Sequence, residues 1–295
     1  MVTNLKYYVL TVVSIFLALA IGIYIGFMFD AQDILLSQKE DIVAQLEERF
    51  NYLKEENEKI KSDITDISEE NKRLYEFNRT IYGEIIKDRL NGVKISIIET
   101  NDDYIYTGIK QTLEASGAEV TSITTIKDNL LSDKDAIEAV YKKINNVEDI
   151  EGDVVKLTVD QIMQAIISGE NSDIVQSLND DGIIDASGSY IQPSDYIIIA
   201  GGSKNKVEDK INLIDNRIID LSKKTNVPII GIEKQNVKFS YIEKYKDNRI
   251  STVDNVDTII GKVALILAMD GRPGNYGVKP SAESLVPDPS TAIFD

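Results

Sequence analysis

The first hydrophobic block of the chain is continuous, whereas the later blocks are periodic. Residues 7–29 read YYVLTVVSIFLALAIGIYIGFMF and contain no charged side chain. At the helical rise of ~1.5 Å per residue this segment covers about 35 Å, enough to span a bilayer. A cleaved signal peptide is the alternative, because Ala18-Leu19-Ala20 resembles a processing site, but strong hydrophobicity continues past Ala20. The pattern predicts a retained transmembrane helix that contacts the lipid bilayer.

Flanking charges and small residues give this helix a direction and a packing face. Lys6 precedes the segment and Asp30 and Asp33 follow it, which predicts a cytoplasmic N-terminus (1–6) and an extracytoplasmic remainder. The protein is therefore expected in the cell membrane, crossing it once. Small residues recur at every fourth position, on one helix face: Ser14, Ala18, Gly22 and Gly26. Such a face favours close pairing of two membrane helices, although Gly and Ala are frequent in membrane helices generally.

A heptad pattern follows over residues 30–90. The d positions are all apolar: Leu46, Leu53, Ile60, Ile67, Leu74 and Ile81. The a positions, from one heptad upstream, are Leu36, Val43, Phe50, Asn57, Ile64, Asn71, Asn78 and Ile85. A stripe this narrow, sustained over about seven heptads, predicts a coiled coil rather than an amphipathic helix packed on its own domain.

Asparagine at three a positions sets the predicted geometry of this coiled coil. Asn57, Asn71 and Asn78 can each bond to their own mate only when two strands run parallel and in register. The stalk is therefore expected to be a parallel homodimer. Isoleucine at several d positions is more typical of higher oligomers, so that alternative stays open.

Residues 91–270 alternate between strand-like and helical patterns. Strands are predicted at 93–98, 120–123, 196–200, 227–232 and 250–253, and helices at 104–116, 133–144, 158–168, 206–225 and 257–269. Strands that are apolar on both faces are typical of a parallel sheet covered by helices on each side. The fold expected here is α/β, an open doubly wound parallel sheet, with residues 132–190 as a helical insertion.

The chemistry of the side chains points away from catalysis. The 295-residue chain has no Cys, His or Trp, which excludes thiol nucleophiles, the usual zinc sites and histidine relays. Its net charge of -17 excludes nucleic acid as a partner. Asp102-Asp103 and the pair Asp254 and Asp257 are acidic candidates, but no His or Cys completes a site. We expect neither enzymatic activity nor a cofactor.

A glycine turn and a glycine- and proline-rich tail are the remaining features. Gly201, Gly202, Ser203 and Lys204 follow a predicted strand, where doubly wound folds bind anions, but they match no phosphate-binding motif. The turn is either a possible ligand turn or a tight turn at the end of a strand. Residues 271–295 form a tail that is predicted to be extended, over the domain or on a partner.

The two ends of the chain resemble one protein family. LALAIGIYIG leading into the heptads, and NVDTIIGKVALILAMDGRPGNYGVKPSAESLVP over 255–287, resemble the MctB/SteB family of bacterial envelope proteins, usually labelled copper transporters. Gly274, Tyr276 and Gly277 are the most specific part of the resemblance. It implies an envelope protein, linked in some members to copper homeostasis and in others to a complex that regulates cell division and wall hydrolysis.

These observations lead to one hypothesis of function and one alternative. The first is a dimeric coiled-coil scaffold that presents the α/β domain to an unidentified envelope or division protein. The alternative is copper transport or copper homeostasis, as the family label implies. Cu(I) prefers thiolate and thioether ligands and Cu(II) prefers imidazole, but the chain offers only Met1, Met28, Met163 and Met269. The sequence therefore favours the scaffold.

Overall fold

A computed structural model describes residues 5–206 and 208–288, without the side chains of 31–35, 37 and 208. Residues 1–4 of the predicted cytoplasmic segment, the side chain of Asp33 and residues 289–295 of the tail lie outside this description. The chain divides into two compact units, Met1–Leu74 and Tyr75–Asp295.

The first unit is helical throughout its described length. Helix α1 runs over Leu5–Ile86; its residues up to Leu74 belong to the first unit and its last residues to the second. Within it, Leu5–Asp30 has a mean hydropathy of 2.5 and no buried residue, so it is long and apolar enough to cross a membrane. This agrees in length and composition with the membrane helix that the sequence predicts. The coiled coil and the dimer remain predictions.

The second unit is an α/β domain around a seven-stranded sheet. Its strands are β1 (Lys94–Glu99), β2 (Glu119–Ile126), β3 (Ile184–Gly188), β4 (Tyr196–Ala200), β5 (Ile229–Ile232), β6 (Ser251–Val253) and β7 (Asn275–Tyr276). Their order in space is β3-β2-β1-β4-β5-β6-β7. All neighbours pair in parallel except β2 and β3, which are antiparallel.

Helices cover both faces of this sheet. They are α2 (Ile109–Ala115), α3 (Asn129–Ser132), α4 (Lys134–Asn145), α5 (Val154–Ser168), α6 (Ser172–Asp180), α7 (Glu208–Lys210), α8 (Asn216–Lys224), α9 (Ile242–Asp247) and α10 (Ile259–Met269), with a π-helical turn at Ile211–Asp215 between α7 and α8. Side-chain caps fix several starting points: Asp153 accepts the Val155 N–H and Thr258 the Gly261 N–H, each at 3.0 Å.

The strands are apolar on both faces because each face has its own core. In β4, Ile197 and Ile199 pack into a cluster with α3 to α6, α8 and α9. Ile198 and Ala200 point the other way, into a cluster with the end of α1, α2 and α10. Since successive strand side chains alternate between faces, a run of isoleucines is what a sheet covered on both sides requires.

The structure confirms the five predicted strands and corrects the prediction of a wholly parallel sheet. The missed strand β3 is antiparallel, at the edge, and carries Asp185, Ser187 and Gly188, which have low strand propensity. The predicted insertion is helical from α3 to α6 but ends in this strand. The helix predicted at 104–116 begins only at Ile109, because the preceding residues form a loop with contacts of its own.

The tail contributes both to the sheet and to the core of the domain. It supplies β7, and Tyr276 is 8% exposed within the second hydrophobic cluster. A region poor in hydrophobic residues therefore still contributes one aromatic side chain to the core.

Candidate functional site at the carboxyl edge of the sheet

The strand order locates the crevice where a doubly wound domain would bind a ligand. The chain passes from β1 to β2 on one side and then returns to β4 on the other side of β1. The loops after β1 and β4 therefore separate at the carboxyl edge of the sheet, and ligands of such folds bind at this switch point. The predicted turn Gly201–Lys204 lies here, after β4.

Three of the four backbone N–H groups of this turn are engaged within the protein. Gly201 donates to the Ile232 carbonyl at 3.0 Å, Ser203 to the Phe239 carbonyl at 3.0 Å, and Lys204 to the Asp103 carboxylate at 2.7 Å. Gly202 has φ +87°, and a Cβ there would lie 2.8 Å from Glu233 Oε1. Because an anion would have to displace these partners and face two carboxylates, the geometry favours a tight turn over a phosphate site.

Side chains from the loop after β1 close the crevice itself. Asn101 Nδ2 donates to the Gly202 carbonyl at 2.7 Å, and Tyr106 Oη donates to the Gly201 carbonyl. Asn101 is 4% exposed and Tyr106 is 7% exposed. Both loops at the switch point are thus joined by hydrogen bonds, and protein atoms occupy the place of a ligand.

Asp215 is a buried carboxyl group under this edge that sequence reasoning did not identify. Its Oδ1 accepts hydrogen bonds from Thr100 at 3.1 Å and Tyr245 at 2.5 Å, whereas its Oδ2 has no hydrogen-bond partner among the described residues. Complete burial raises the pKa of Asp215 from 3.8 to about 7, although both hydrogen bonds lower it. Its only sequence signal is one acidic residue on the apolar face of the helix that follows β4.

Glu233 is a second buried carboxyl group, directly after β5. Burial raises its pKa, and the ammonium group of Lys279, which lies within ion-pair distance, lowers it. Glu233 also accepts hydrogen bonds from Ser240 Oγ at 2.6 Å and the Tyr241 N–H at 2.8 Å. With these partners the carboxylate is an anchor for the tail and not a free acid or base.

Asp254, after β6, anchors the same segment of the tail. Its Oδ1 accepts the Val278 N–H at 2.8 Å and its Oδ2 the Lys279 N–H at 2.9 Å. Gly277 has φ +139°, and a Cβ there would lie 2.0 Å from Asp254 Oδ1. A Cβ on Gly274 would lie 2.5 Å from the hydroxyl oxygen of Tyr276, so the glycine leaves room for this ring. The three residues of the predicted family motif therefore lie together. A side chain in place of either glycine would clash, at Gly277 with Asp254 and at Gly274 with Tyr276.

The other predicted residues lie on α1, away from this edge in sequence. Ser14, Ala18, Gly22 and Gly26 are exposed, and nothing described lies within 4 Å of a Cβ built on either glycine. Asn57 and Asn71 are exposed and Asn78 is half-buried. The small-residue face and the asparagine positions Asn57 and Asn71 are therefore accessible on the surface of α1.

The donor atoms for copper are poorly placed. Met163 and Met269 are 1% and 9% exposed and belong to the two clusters on opposite faces of the sheet. Among the described residues no group of three or more Asp, Glu, His or Cys side chains could hold a metal ion. The two thioethers of the domain therefore cannot share one copper ion.

Comparison with known proteins matches nearly the whole chain to one family. Residues 1–287 match the family described as "Copper transport outer membrane protein, MctB". None of the curated proteins compared with the chain gives a match.

Proposed function

Because this chain belongs to the MctB family of copper transport outer membrane proteins, we propose that it is a membrane-anchored envelope protein that acts as a dimeric scaffold. In this proposal α1 pairs with a second copy as a parallel coiled coil, and the α/β domain is presented to an envelope or cell-division partner. The family and the apolar span Leu5–Asp30 support membrane anchoring.

The exposed heptad face of α1 is the observation that carries the proposal. In the first unit, the d side chains Leu46, Leu53, Ile60, Ile67 and Leu74 are each 49–61% exposed. The a side chains Val43, Phe50 and Ile64 are 52–68% exposed. Burying one such side chain stabilises by roughly 1.5–3 kcal/mol, so a second helix against this stripe is strongly favoured. Asn57 and Asn71 within the same stripe favour a parallel, in-register pair.

The closed crevice of the α/β domain supports a scaffold over an enzyme or a small-molecule carrier. Its two loops are joined by Asn101 and Tyr106, and its buried carboxylates Glu233 and Asp254 bind the tail. A catalytic group needs contact with substrate, and these groups are already satisfied by the protein. We therefore propose that the domain acts through its surface.

Cysteine cross-linking in the cysteine-free chain tests the dimer and its register. Asn71→Cys at an a position should form a disulfide between two copies in membranes, because in-register a side chains face each other. Glu69→Cys, on the outer face of the same helical turn, is the matched control and should not. A chain that cross-links at neither position and sediments as a monomer in detergent would rule out the coiled coil.

Orientation can be tested in the same background. The Lys6 and Asp30 asymmetry predicts that Ser62→Cys reacts with a membrane-impermeant thiol reagent in intact cells and that Thr3→Cys does not. The reverse labelling would place the domain in the cytoplasm.

Copper transport or homeostasis is the second candidate, favoured by the description of the family. Its discriminating measurement is titration of the purified chain against a competing Cu(I) chelator. We expect no specific site, because Met163 and Met269 are separated by the sheet. A stoichiometric complex lost in Met163→Leu or Met269→Leu would instead support direct copper binding.

A further inference from the structure

Three exposed hydrophobic side chains lie at the closed carboxyl edge of the α/β domain. After Ile86, the described residues include five exposed large hydrophobic side chains: Ile105, Val147, Ile191, Val278 and Leu285. Ile105 is 68% exposed on the loop after β1, and Val278 and Leu285 are 52% and 44% exposed on the tail. The loop closes the crevice and the tail binds Glu233 and Asp254, so this edge combines hydrogen-bonded segments with exposed apolar groups.

Lys234 links the two segments that carry these side chains. Its Nζ lies 5.8 Å from the ring centroid of Tyr106, the neighbour of Ile105. Its carbonyl accepts a hydrogen bond at 3.3 Å from the Nζ of Lys279, the neighbour of Val278. Leu285 follows Ser284, whose carbonyl accepts the Gly277 N–H at 3.0 Å. These contacts therefore place the loop and the tail next to each other.

Three lysines lie next to the loop of this apolar surface, and the Nζ of Lys238 lies 5.4 Å from the ring centroid of Phe239. Lys204 Nζ lies 5.9 Å from the ring centroid of Tyr104, and the Lys238 N–H donates to the hydroxyl group of Tyr104 at 3.0 Å. None of the ion pairs among the described residues includes Lys204, Lys234 or Lys238. We call Ile105, Val278, Leu285 and these three lysines the edge surface.

Two carboxylates belong to the same loop and limit its positive charge. Asp103 accepts the Lys204 N–H at 2.7 Å, which turns its carboxylate into the loop. Asp102 is exposed and opposes any anionic ligand. The contribution of Asp102 to binding is therefore opposite in sign to that of the lysines, and this can be measured.

We propose that the edge surface binds an acidic segment of a partner protein that carries large hydrophobic side chains. This inference rests on the proposed scaffold function and names the surface and the class of partner. The three ammonium groups complement acidic side chains, and Ile105, Val278 and Leu285 supply the apolar contact that anchors such a segment.

Two observations favour a short protein segment over other anions. The chain carries a net charge of -17, so a long polyanion is repelled, whereas a short segment responds to charges within the Debye length of about 8–10 Å. The ammonium groups of Lys204 and Lys234 lie over the rings of Tyr104 and Tyr106, which leaves those faces unsuited to stacking on the sugars of an anionic polysaccharide.

Fluorescence anisotropy with the full chain in detergent tests the proposal. The probe is a labelled twelve-residue peptide that alternates Asp or Glu with Leu or Phe. One control peptide has Lys at the acidic positions, and the other has Ser at the apolar positions. We expect binding of the first peptide that weakens as salt is added, and binding at least about tenfold weaker for each control. Equal binding of all three peptides, or of none, would overturn the proposal.

Variants on the edge surface locate the binding. Val278→Ser with Leu285→Ser should weaken binding about tenfold, because exposed anchors are lost without a change in the core. Ile191→Ser, at a 72% exposed position after β3, is the matched control and should change nothing. Asp102→Asn should tighten binding. Deletion of the tail is not a usable variant, since it would remove β7 and the partners of Asp254.

The same samples separate the other occupants of this surface. Binding to phosphatidylglycerol vesicles that is lost in the Val278→Ser, Leu285→Ser variant, with no peptide binding, would assign the surface to lipid. A changed sedimentation coefficient of that variant would assign it to a second copy. Either result overturns the proposal. Peptide binding by a monomeric chain would refute the dimeric scaffold alone, and a cross-linked dimer without peptide binding would refute the edge surface alone.

Discussion

The first unit and the α/β domain place their hydrophobic side chains in opposite environments. Leu46, Leu53 and Ile67 of α1 are 60–61% exposed, whereas Ile197 and Ile199 of β4 are fully buried. One helix has no second layer against which to bury its stripe, but a sheet with helices on both faces buries two layers. The domain is therefore stabilised by its own contacts, whereas in our proposal the first unit depends on a bilayer and a partner helix.

The most destabilising change that we expect affects the domain and leaves the first unit intact. Gly277→Val combines a left-handed backbone (φ +139°) with a Cβ 2.0 Å from Asp254 Oδ1. The free energy of unfolding of the domain should fall by about 4 kcal/mol or more, measured by urea denaturation with near-ultraviolet circular dichroism of the tyrosines. The Asn71→Cys cross-link should still form in this variant.

Gly271→Ala is the control for that substitution. Gly271 also has a positive φ, +80°, but nothing described lies within 4 Å of its hypothetical Cβ. Its cost should be only about 1 kcal/mol. Equal effects of the two substitutions would show that the contact with Asp254 is unimportant, and loss of the cross-link in Gly277→Val would show that the two units are coupled.

A pH dependence should likewise be confined to the domain. The folded pKa of Asp215, about 7, lies above its ordinary 3.8, so the native state binds this proton more tightly than the unfolded state. The resulting stability is complete below pH ~4 and is lost as the pH rises to about 7, an effect on the order of 3 kcal/mol.

Asp215→Asn tests this, because its amide cannot ionise. The slope of unfolding free energy against pH between about 4 and 7 should become smaller. It should not vanish, since burial also raises the pKa of Glu233. The exposed Asp181→Asn is the control and should keep the wild-type slope. An unchanged slope in Asp215→Asn would mean that Asp215 is ionised in the folded domain.

The smallest expected effect concerns the first unit alone. Asn71→Ile should stabilise the coiled coil by about 1–2 kcal/mol, because an apolar side chain replaces an amide that the proposed pairing would bury. It should also loosen the register and permit higher oligomers, seen by sedimentation in detergent. Ser68→Ala, outside the a and d positions, is the control. A destabilised or unchanged stalk would mean that Asn71 does not lie in the interface.

The hydrophobic pattern was sufficient for the repetitive parts of the fold. The strand predicted at 196–200 agrees with β4, because a run of isoleucines after a polar loop leaves few alternatives. Edge strand β3 was not predicted, since only Ile184 of its five residues is buried. The two residues of β7 form a strand only because the edge of β6 is there to pair with them.

The site was predicted less completely than the fold. Gly201 to Lys204 were placed correctly after a strand, but their amide partners come from the end of β5 (Ile232) and from two different loops (Phe239 and Asp103). No local pattern indicates such partners. Asp215 and Glu233 were missed for the same reason, because burial of one acidic residue depends on the elements that pack over it.

The sequence by itself determined the apolar segment long enough to span a membrane, the heptad stripe, the alternation of strands and helices and the absence of thiol and imidazole groups. These properties depend on composition or on periods of two to seven residues along the chain. Tertiary structure alone decided that Asn101 and Tyr106 close the crevice and that the ammonium group of Lys279 forms an ion pair with Glu233. It also separated Met163 from Met269 by a sheet. Each of these joins residues far apart in the chain, and only the folded topology specifies such contacts.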